Sequence, residues 1–157
     1  MSRFLDLVRE RVVVYDGAFG TFVQTLDLTA DDFGGPELEG CNEILNVTRP
    51  DVVREVHEAY FEVGVDCVET NTFGANLGNL GEYDIADRIG ELALAGARVA
   101  REAADAYSTP ERPRWVLGSN PGTVPASAQT SQRASWLRIA SRTPSHAAFV
   151  DRTPCAK

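Results

Sequence analysis

Two segments of the chain place acidic side chains and glycines directly after apolar runs. Asp16 and Gly17 follow the apolar residues 12–15, and Glu69 begins a polar segment that ends at Gly74. A carboxylate can hold a ligand ammonium group, and main-chain N–H groups beside glycine can hold a ligand carboxylate. The alternative, that Asp16 and Gly17 form only a turn and a helix cap, stays open because this pair is common in turns.

Other residues whose types could form a ligand or metal site are better explained by structural roles. The glycines of residues 17–20 and 74–81 lack both the GxGxxG spacing and the Gly-Lys-Ser/Thr sequence of nucleotide sites. We expect His57 and His146 to be solvated, and Cys67 to be a buried, apolar strand residue. Three cysteines, at positions 41, 67 and 155, are too scattered for a disulfide framework or a CxxC zinc site.

The elements that would position these residues alternate between strands and helices. We predict strands at residues 11–15, 65–70 and 115–118, a short helix at 19–26, a polar loop at 29–40, and amphipathic helices at 50–63 and 85–107. Such alternation predicts an α/β fold with parallel strands, as an open doubly wound sheet or a (β/α)₈ barrel. The carboxyl ends of the strands would then share one rim, which carries Asp16, Glu69, Thr70, Asn71, Thr72 and Ser119.

Composition changes abruptly near Ser119. Residues 1–119 hold 10 Lys and Arg against 22 Asp and Glu, whereas residues 120–157 hold 5 against 1. The later segment is rich in Ser, Ala, Thr and Pro and lacks a helical or strand period, so we expect an irregular tail. The domain prediction is therefore a folded unit at 1–119 and a tail at 120–157.

The net charge of −8 argues against a nucleic-acid partner, because phosphate binding needs clustered basic residues. The sequence has neither an apolar run of membrane-spanning length nor a secretory signal at its start, so we expect a cytoplasmic protein with no membrane partner.

Several motifs in order resemble one family. They are residues 14–21, 38–46, 49–51, 60–74, 79–87 and 116–119. Together they resemble the homocysteine-binding (homocysteine S-methyltransferase) domain of cobalamin-dependent methionine synthase. The resemblance implies a (β/α)₈ TIM barrel, of which this chain would hold about the first three βα units, because a complete barrel needs roughly 250 residues.

The resemblance also implies an activity and a site. In this family, a zinc ion binds homocysteine as a thiolate, which takes a methyl group from cobalamin to give methionine. By resemblance, Asp16 and the backbone of Gly17, Ala18 and Phe19 would hold the amino-acid end of homocysteine. The neighbouring wall would be formed by Glu69, Thr72, Phe73 and Gly74.

This chain departs from the family pattern at the zinc-binding cysteines. The family holds zinc with three cysteines, one after a late strand and an adjacent pair near the end of the barrel. Cys41 and Cys67 correspond to neither position, and Cys155 lies in the segment without resemblance. We therefore expect neither zinc nor cobalamin to bind this chain alone, and we expect a truncated chain without catalysis of its own. The loss of pattern and the switch in charge lead us to expect that the residues after about Ser119 come from a frameshift or gene decay.

Two functional hypotheses follow. The first is a homocysteine S-methyltransferase fragment, with self-association or a completing polypeptide covering its open edge. The second is a non-catalytic α/β protein that binds an amino acid or serves as an interaction module.

Overall fold

A computed structural model describes residues 3–119 of the chain. The predicted irregular tail, His146 and Cys155 lie outside these residues. The α-helices and strands of the described part, in chain order, are α1 (Arg3–Glu10), α2 (Phe19–Val23), α3 (Ala30–Phe33), α4 (Leu45–Thr48), α5 (Pro50–Glu62), β1 (Cys67–Glu69), α6 (Leu77–Glu82), α7 (Ile89–Ala106) and β2 (Trp115–Leu117). Single 3₁₀ turns lie at Gln24–Leu26, Pro36–Leu38, Asn42–Ile44 and Ala86–Arg88.

The sheet in the described part has two parallel strands. Cys67 pairs with Trp115, and Glu69 pairs with Leu117. The predicted α/β class with parallel strands is therefore confirmed, whereas the predicted first strand at residues 11–15 is wrong. That segment makes one parallel bridge to β1, at Tyr15.

The Asp66 side chain competes for the main chain of residues 11–15, which explains why this segment pairs with β1 at one residue only. The N–H of Val14 donates to the Asp66 carboxylate at 3.0 Å, and the Val14 carbonyl accepts the N–H groups of both Asp66 and Cys67. The first apolar run therefore lies beside β1 without forming a full ladder. It still carries its carboxyl end, Asp16, to the end of β1.

The two longest helices, α5 and α7, were predicted from the sequence, and the structure places both on one face of the sheet. Pro50 starts α5, where its missing N–H costs nothing, and Gly64 follows the helix with φ of +101°. Helices α5 and α7 pack against each other, α5 also packs against β1, and α7 packs against both strands. The cluster between them and the sheet is built mainly from Phe61, Val65, Val68, Ala100, Ala103, Ala104 and Val116.

The opposite face of the sheet is covered by α1, a helix that the sequence analysis did not predict. Phe4 is buried, and its ring lies edge-on to Trp115 with centroids 5.4 Å apart. The cluster on this face also holds Cys67 and Leu117. Because alternate strand residues point to opposite faces, Cys67 and Val68 enter different clusters.

The predicted polar loop at residues 29–40 contains short helical structure instead. Thr29 and Asp32 form a capping box that starts α3, because each side chain satisfies a main-chain N–H of the other residue. None of the described helices has the length and apolar character needed to cross a bilayer.

Candidate functional site

A cavity of about 320 Å³ opens at the carboxyl ends of the two strands. Three carboxylates line it, from Asp16, Glu43 and Glu69. Its lining contains no Lys, Arg or His from the described part of the chain, so a bound ligand meets negative charge. The remaining lining residues are Gly17, Phe19, Gly20, Asn42, Thr70, Asn71, Phe73 and Ser119.

Asp16 is anchored to β1 at both its main chain and its side chain. Its N–H donates to the carbonyl of Cys67 at 3.0 Å, and its two carboxylate oxygens accept the N–H of Glu69 at 3.1 and 3.0 Å. Burial raises the pKa of Asp16 to about 7, the Glu69 N–H opposes that rise, and the Glu69 carboxylate adds to it. Asp16 is thus a half-buried acid that a cationic ligand can ionise.

The turn after Asp16 lies close to α5. A Cβ at Gly17 would come within 3.2 Å of the Tyr60 hydroxyl oxygen, so a side chain here would crowd that ring. Ala18 is exposed and lies outside the cavity lining, although it joins two residues that belong to it. Phe19 is half-buried and turns its ring toward His57, with centroids 5.7 Å apart.

The prediction that His57 is solvated is wrong. Its side chain is 0% exposed, because α2 packs on the face of α5 that the sequence pattern marks as polar. Neither ring nitrogen has a hydrogen-bond partner among the described residues. Burial lowers the pKa of His57 to about 4, so the ring is neutral at physiological pH.

The segment after β1 divides its residues between the cavity and the interior. Glu69 is exposed and accepts a hydrogen bond from the Ser119 hydroxyl at 3.0 Å. Phe73 lines the cavity and is 62% exposed. Thr72 and Gly74, which the resemblance also assigns to the wall, are buried outside the lining.

Thr72 belongs to a closed ring of hydrogen bonds with Thr70 and Ser119. The Ser119 N–H donates to the Thr70 hydroxyl at 3.1 Å, and the Thr72 hydroxyl donates to the Ser119 carbonyl at 2.8 Å. The two threonine oxygens lie 2.7 Å apart. Because Thr72 has one hydroxyl proton, already donated to Ser119, the proton between the threonines comes from Thr70. The ring joins the carboxyl ends of β1 and β2.

Glu43, Asn42 and Asn46 were not assigned a role from the sequence. The Glu43 carboxylate accepts the N–H of Gly74 at 2.6 Å, and the Asn42 carbonyl accepts the Asn71 side chain at 2.7 Å. Asn46 donates to the carbonyls of Asn71 and Leu92. Asn42 and Glu43 lie in a single 3₁₀ turn and Asn46 lies in the four-residue α4, so no hydrophobic period marks them. Their only signal in the sequence is their polarity among the apolar residues Cys41, Ile44 and Leu45.

The thiols of the described residues do not fit the zinc site that the resemblance implies. Cys67 points into the cluster with Phe4 and Trp115, whereas Cys41 packs in a separate cluster with Ile44 and Leu45. Burial raises the pKa of Cys67 to about 12 and raises that of Cys41, which disfavours the thiolates that zinc needs. Within residues 3–119, no three His, Cys, Asp or Glu side chains form a metal-binding group.

Comparison with sequences of known proteins gives consistent matches. A family model described as homocysteine S-methyltransferase matches residues 13–143, a range that continues past the predicted boundary at residue 119. Methionine synthase of Mycobacterium tuberculosis (strain ATCC 25618 / H37Rv) is 61% identical over 120 residues, which are 76% of this chain and 10% of that protein. Methionine synthase of Mycobacterium leprae (strain TN) is 56% identical over 131 residues, which are 82% of this chain and 11% of that protein. The chain thus spans about a tenth of the length of these relatives.

Two solved structures share the fold. The oxidized form of the homocysteine methyltransferase MmuM from Escherichia coli superposes with a TM-score of 0.57 at 20% identity, over 72% of this chain and 39% of that chain. The metallated form gives 0.59 at 21% identity, over 80% and 42%. With a family model that matches most of its length, the chain belongs to the homocysteine S-methyltransferase family.

Proposed function

We propose that this chain forms the homocysteine-binding part of a homocysteine S-methyltransferase of the methionine synthase type. The observation that carries the proposal is the position of Asp16, whose half-buried carboxylate lines a cavity together with Glu43 and Glu69. Such a cavity favours a ligand with an ammonium group, because burial strengthens charge pairing relative to water. Homocysteine carries an ammonium group at neutral pH, and membership of the family makes it the expected ligand.

The proposed binding mode uses the cavity walls in distinct ways. Asp16 pairs with the ammonium group, and Glu69 adds a second negative charge from the end of β1. The main chain of Gly17 and Phe19, which line the cavity on either side of Ala18, faces the ligand carboxylate. Phe19 and Phe73 provide apolar surface for the methylene groups and the sulfur, a contact that aromatic rings favour.

In this proposal Thr72 and Gly74 do not touch the ligand, and they hold the cavity-lining residues in place. Thr72 holds the end of β1 against Ser119, and Gly74 holds the Glu43 carboxylate. Because the described thiols do not fit zinc, we assign no methyl-transfer step to these residues. Their role is to bind and orient the amino acid.

The architecture that we propose is the start of a TIM barrel. Residues 1–119 would form its first units, and residues 120–157 a separate segment. Within residues 3–119, a parallel sheet of two strands leaves edges that a longer sheet would cover, which favours pairing with a completing polypeptide or a second copy. The exposed valines at positions 12 and 14 lie on the segment that flanks β1.

Titration calorimetry of the full chain with L-homocysteine under reducing conditions tests the proposal. We expect saturable binding, and we expect Asp16→Asn to weaken it at least about tenfold, because the amide keeps the shape but loses the charge-assisted bond. Asp31→Asn, at an exposed position outside the cavity, is the matched control. Absence of binding by the unaltered chain contradicts the proposal, and so does an Asp16→Asn variant that binds homocysteine as tightly as the unaltered chain.

A further inference from the structure

An exposed aromatic ring at the cavity mouth lies between two buried neighbours. Phe73 is 62% exposed, whereas Thr72 and Gly74 are buried. Exposing a phenyl ring forgoes the free energy that its burial would give, so its position needs restraint from the adjoining backbone. The restraint on the amino-terminal side is the Thr72 hydroxyl, which donates to Ser119.

The restraint on the carboxyl-terminal side is Glu43. Its Oε1 atom accepts the Gly74 N–H at 2.6 Å, across 31 positions of sequence. A hydrogen bond from a main-chain N–H to a carboxylate is about twice as strong as a neutral one. The loop after β1 is therefore fixed by a side chain from a different part of the fold.

The absence of a side chain at Gly74 permits this contact. A Cβ at that position would lie 2.6 Å from Oε1 of Glu43 and 2.8 Å from both Cδ and Oε2. These distances are too short for a carbon atom, so a side chain at this position would push the Glu43 carboxylate away from the Gly74 N–H. Glycine is required here for close approach of the carboxylate, and its φ is not in the left-handed region.

The turn that carries Glu43 is itself fixed to the same loop. The Asn71 side chain donates to the Asn42 carbonyl at 2.7 Å and to the Asn46 side chain at 3.0 Å. Asn46 donates back to the Asn71 carbonyl at 2.8 Å. The segment that carries Glu43 is therefore hydrogen-bonded to the loop after β1 on both sides of Glu43, at Asn42 and at Asn46.

We propose that Glu43 is a positioning residue that holds Phe73 over the cavity mouth, so that the ring contacts the aliphatic and sulfur part of an amino-acid ligand. The inference rests on the proposed homocysteine site. In this role Glu43 acts on the ligand through the Gly74 N–H and Phe73, and the ligand ammonium group is left to Asp16. The substrate class that this arrangement favours is an α-amino acid with an apolar or thioether-like side chain.

The first experiment needs no ligand. Two-dimensional NMR of the full chain measures hydrogen exchange of the Gly74 amide and the signals of the Phe73 amide and ring. We expect Glu43→Ala to accelerate Gly74 exchange and to shift the Phe73 signals, Glu43→Gln to retain most of the protection through its amide oxygen, and Glu55→Ala, an exposed glutamate on α5, to change neither. Equal Gly74 exchange rates in the unaltered chain and Glu43→Ala overturn the inference, whatever the chain binds.

The second experiment is a double-mutant cycle on the affinity for L-homocysteine. We expect Glu43→Ala and Phe73→Ala each to weaken binding about five- to tenfold, and the double variant to be no weaker than Phe73→Ala alone. Effects that multiply in the double variant would mean that Glu43 acts on the ligand independently of Phe73, which overturns the inference. Failure of the unaltered chain to bind homocysteine removes the proposed function, and Gly74 exchange with the Phe73 signals then decides whether Glu43 positions the ring.

Discussion

Both carboxylate oxygens of Asp16 accept the same main-chain N–H, that of Glu69, at 3.1 and 3.0 Å. This contact places the Asp16 carboxylate at the end of β1, where it lines the cavity. Its pKa is raised to about 7, chiefly by burial. Near neutral pH, Asp16 therefore exists in both protonation states, and a cationic ligand selects the ionised one.

Affinity for homocysteine should depend on pH through Asp16. Below pH 7 the acid is mostly protonated, so binding of an ammonium group must release that proton, and affinity should fall by up to about tenfold per pH unit. Calorimetry at pH 6 in two buffers with different ionisation enthalpies measures the released proton directly. Asp16→Asn should abolish both the proton release and the pH dependence.

The neighbouring ionisable groups define the control for that measurement. Glu69 and Cys67 face Asp16 from β1, Glu43 lines the same cavity, and Tyr60 approaches Gly17 from α5. The pKa of Cys67 is raised to about 12, far above the pH of this calorimetry, so Cys67 does not release the proton. If proton release persists in Asp16→Asn, one of the other groups carries it and the assignment to Asp16 is wrong.

Replacing His57 with leucine should make the fold less sensitive to acid. The pKa of His57 is about 4 in the folded chain and 6.5 in the reference state, so the unfolded chain binds the extra proton between these values. Stability is therefore present above pH 6.5 and is lost as the pH falls toward 4, by up to about 3 kcal/mol.

Asp16 acts with the opposite sign in an overlapping window. Its folded pKa lies above its reference value of 3.8, so its contribution to stability falls as the pH rises from about 4 to 7. The test for His57 is therefore the difference in urea midpoint between His57→Leu and the unaltered chain at pH 5 and pH 7. A difference that does not change with pH would contradict the neutral, buried state of the ring.

Two glycines of α7 should respond oppositely to alanine. At Gly96, a Cβ would lie 2.7 Å from the Asn46 amide nitrogen, which is bonded to the carbonyls of Asn71 and Leu92. We expect Gly96→Ala to lower the free energy of unfolding by about 1 to 3 kcal/mol through overpacking. Gly90 has nothing within 4 Å of its Cβ position, so Gly90→Ala should raise stability by up to about 1 kcal/mol. Urea denaturation distinguishes them, and equal effects would argue against a rigid contact with Asn46.

Asp66 should stabilise the junction between the first apolar run and β1. Its buried carboxylate accepts two bonds from Arg11, at 2.8 and 2.7 Å, and one from the Val14 N–H. The Arg11 guanidinium, more than the Val14 N–H, lowers the pKa of Asp66, so this contribution is present above pH 4 and is lost as the pH falls further.

The loss of stability on replacing Asp66 or Arg11 should depend on how deeply each side chain is buried. Asp66 is almost fully buried, whereas the Arg11 side chain is 46% exposed. We expect Asp66→Asn to cost about 2 kcal/mol and Arg11→Ala to cost more, because it leaves a buried charge unpaired. Arg11→Lys should recover part of the loss. Thermal unfolding at pH 7 checks the order, and an Arg11→Ala variant as stable as the unaltered chain would contradict it.

Strong periodicity made the main elements predictable. Helices α5 and α7 follow from their apolar stripes, and β1 and β2 follow from apolar runs bounded by turn residues. The first strand could not be predicted correctly, because the Asp66 carboxylate takes the Val14 N–H that a ladder would use. Helix α1 was missed since its short amphipathic stretch gains its partners only from the sheet face that it covers.

The candidate site was predictable in part for the same reasons. Asp16 and Glu69 end apolar runs that lie side by side, so the shared rim follows from topology. Glu43 belongs to a single 3₁₀ turn and reaches Gly74 only in the folded chain, so no local pattern reveals it. His57 was misplaced because tertiary packing of Phe19 covers a helix face that reads as polar.

NMR mapping of L-homocysteine binding to the full chain tests the central claim most directly. The claim is that the cavity bounded by Asp16, Glu69 and Phe73 holds the amino acid. We predict saturable shifts of the main-chain amides of residues 16–20, 42–43 and 69–74, with the largest changes at Gly17 and Glu69 and clearly smaller changes for Asp16→Asn at the same concentration. An absence of shifts at millimolar homocysteine, or shifts confined to residues away from the cavity, would contradict the account.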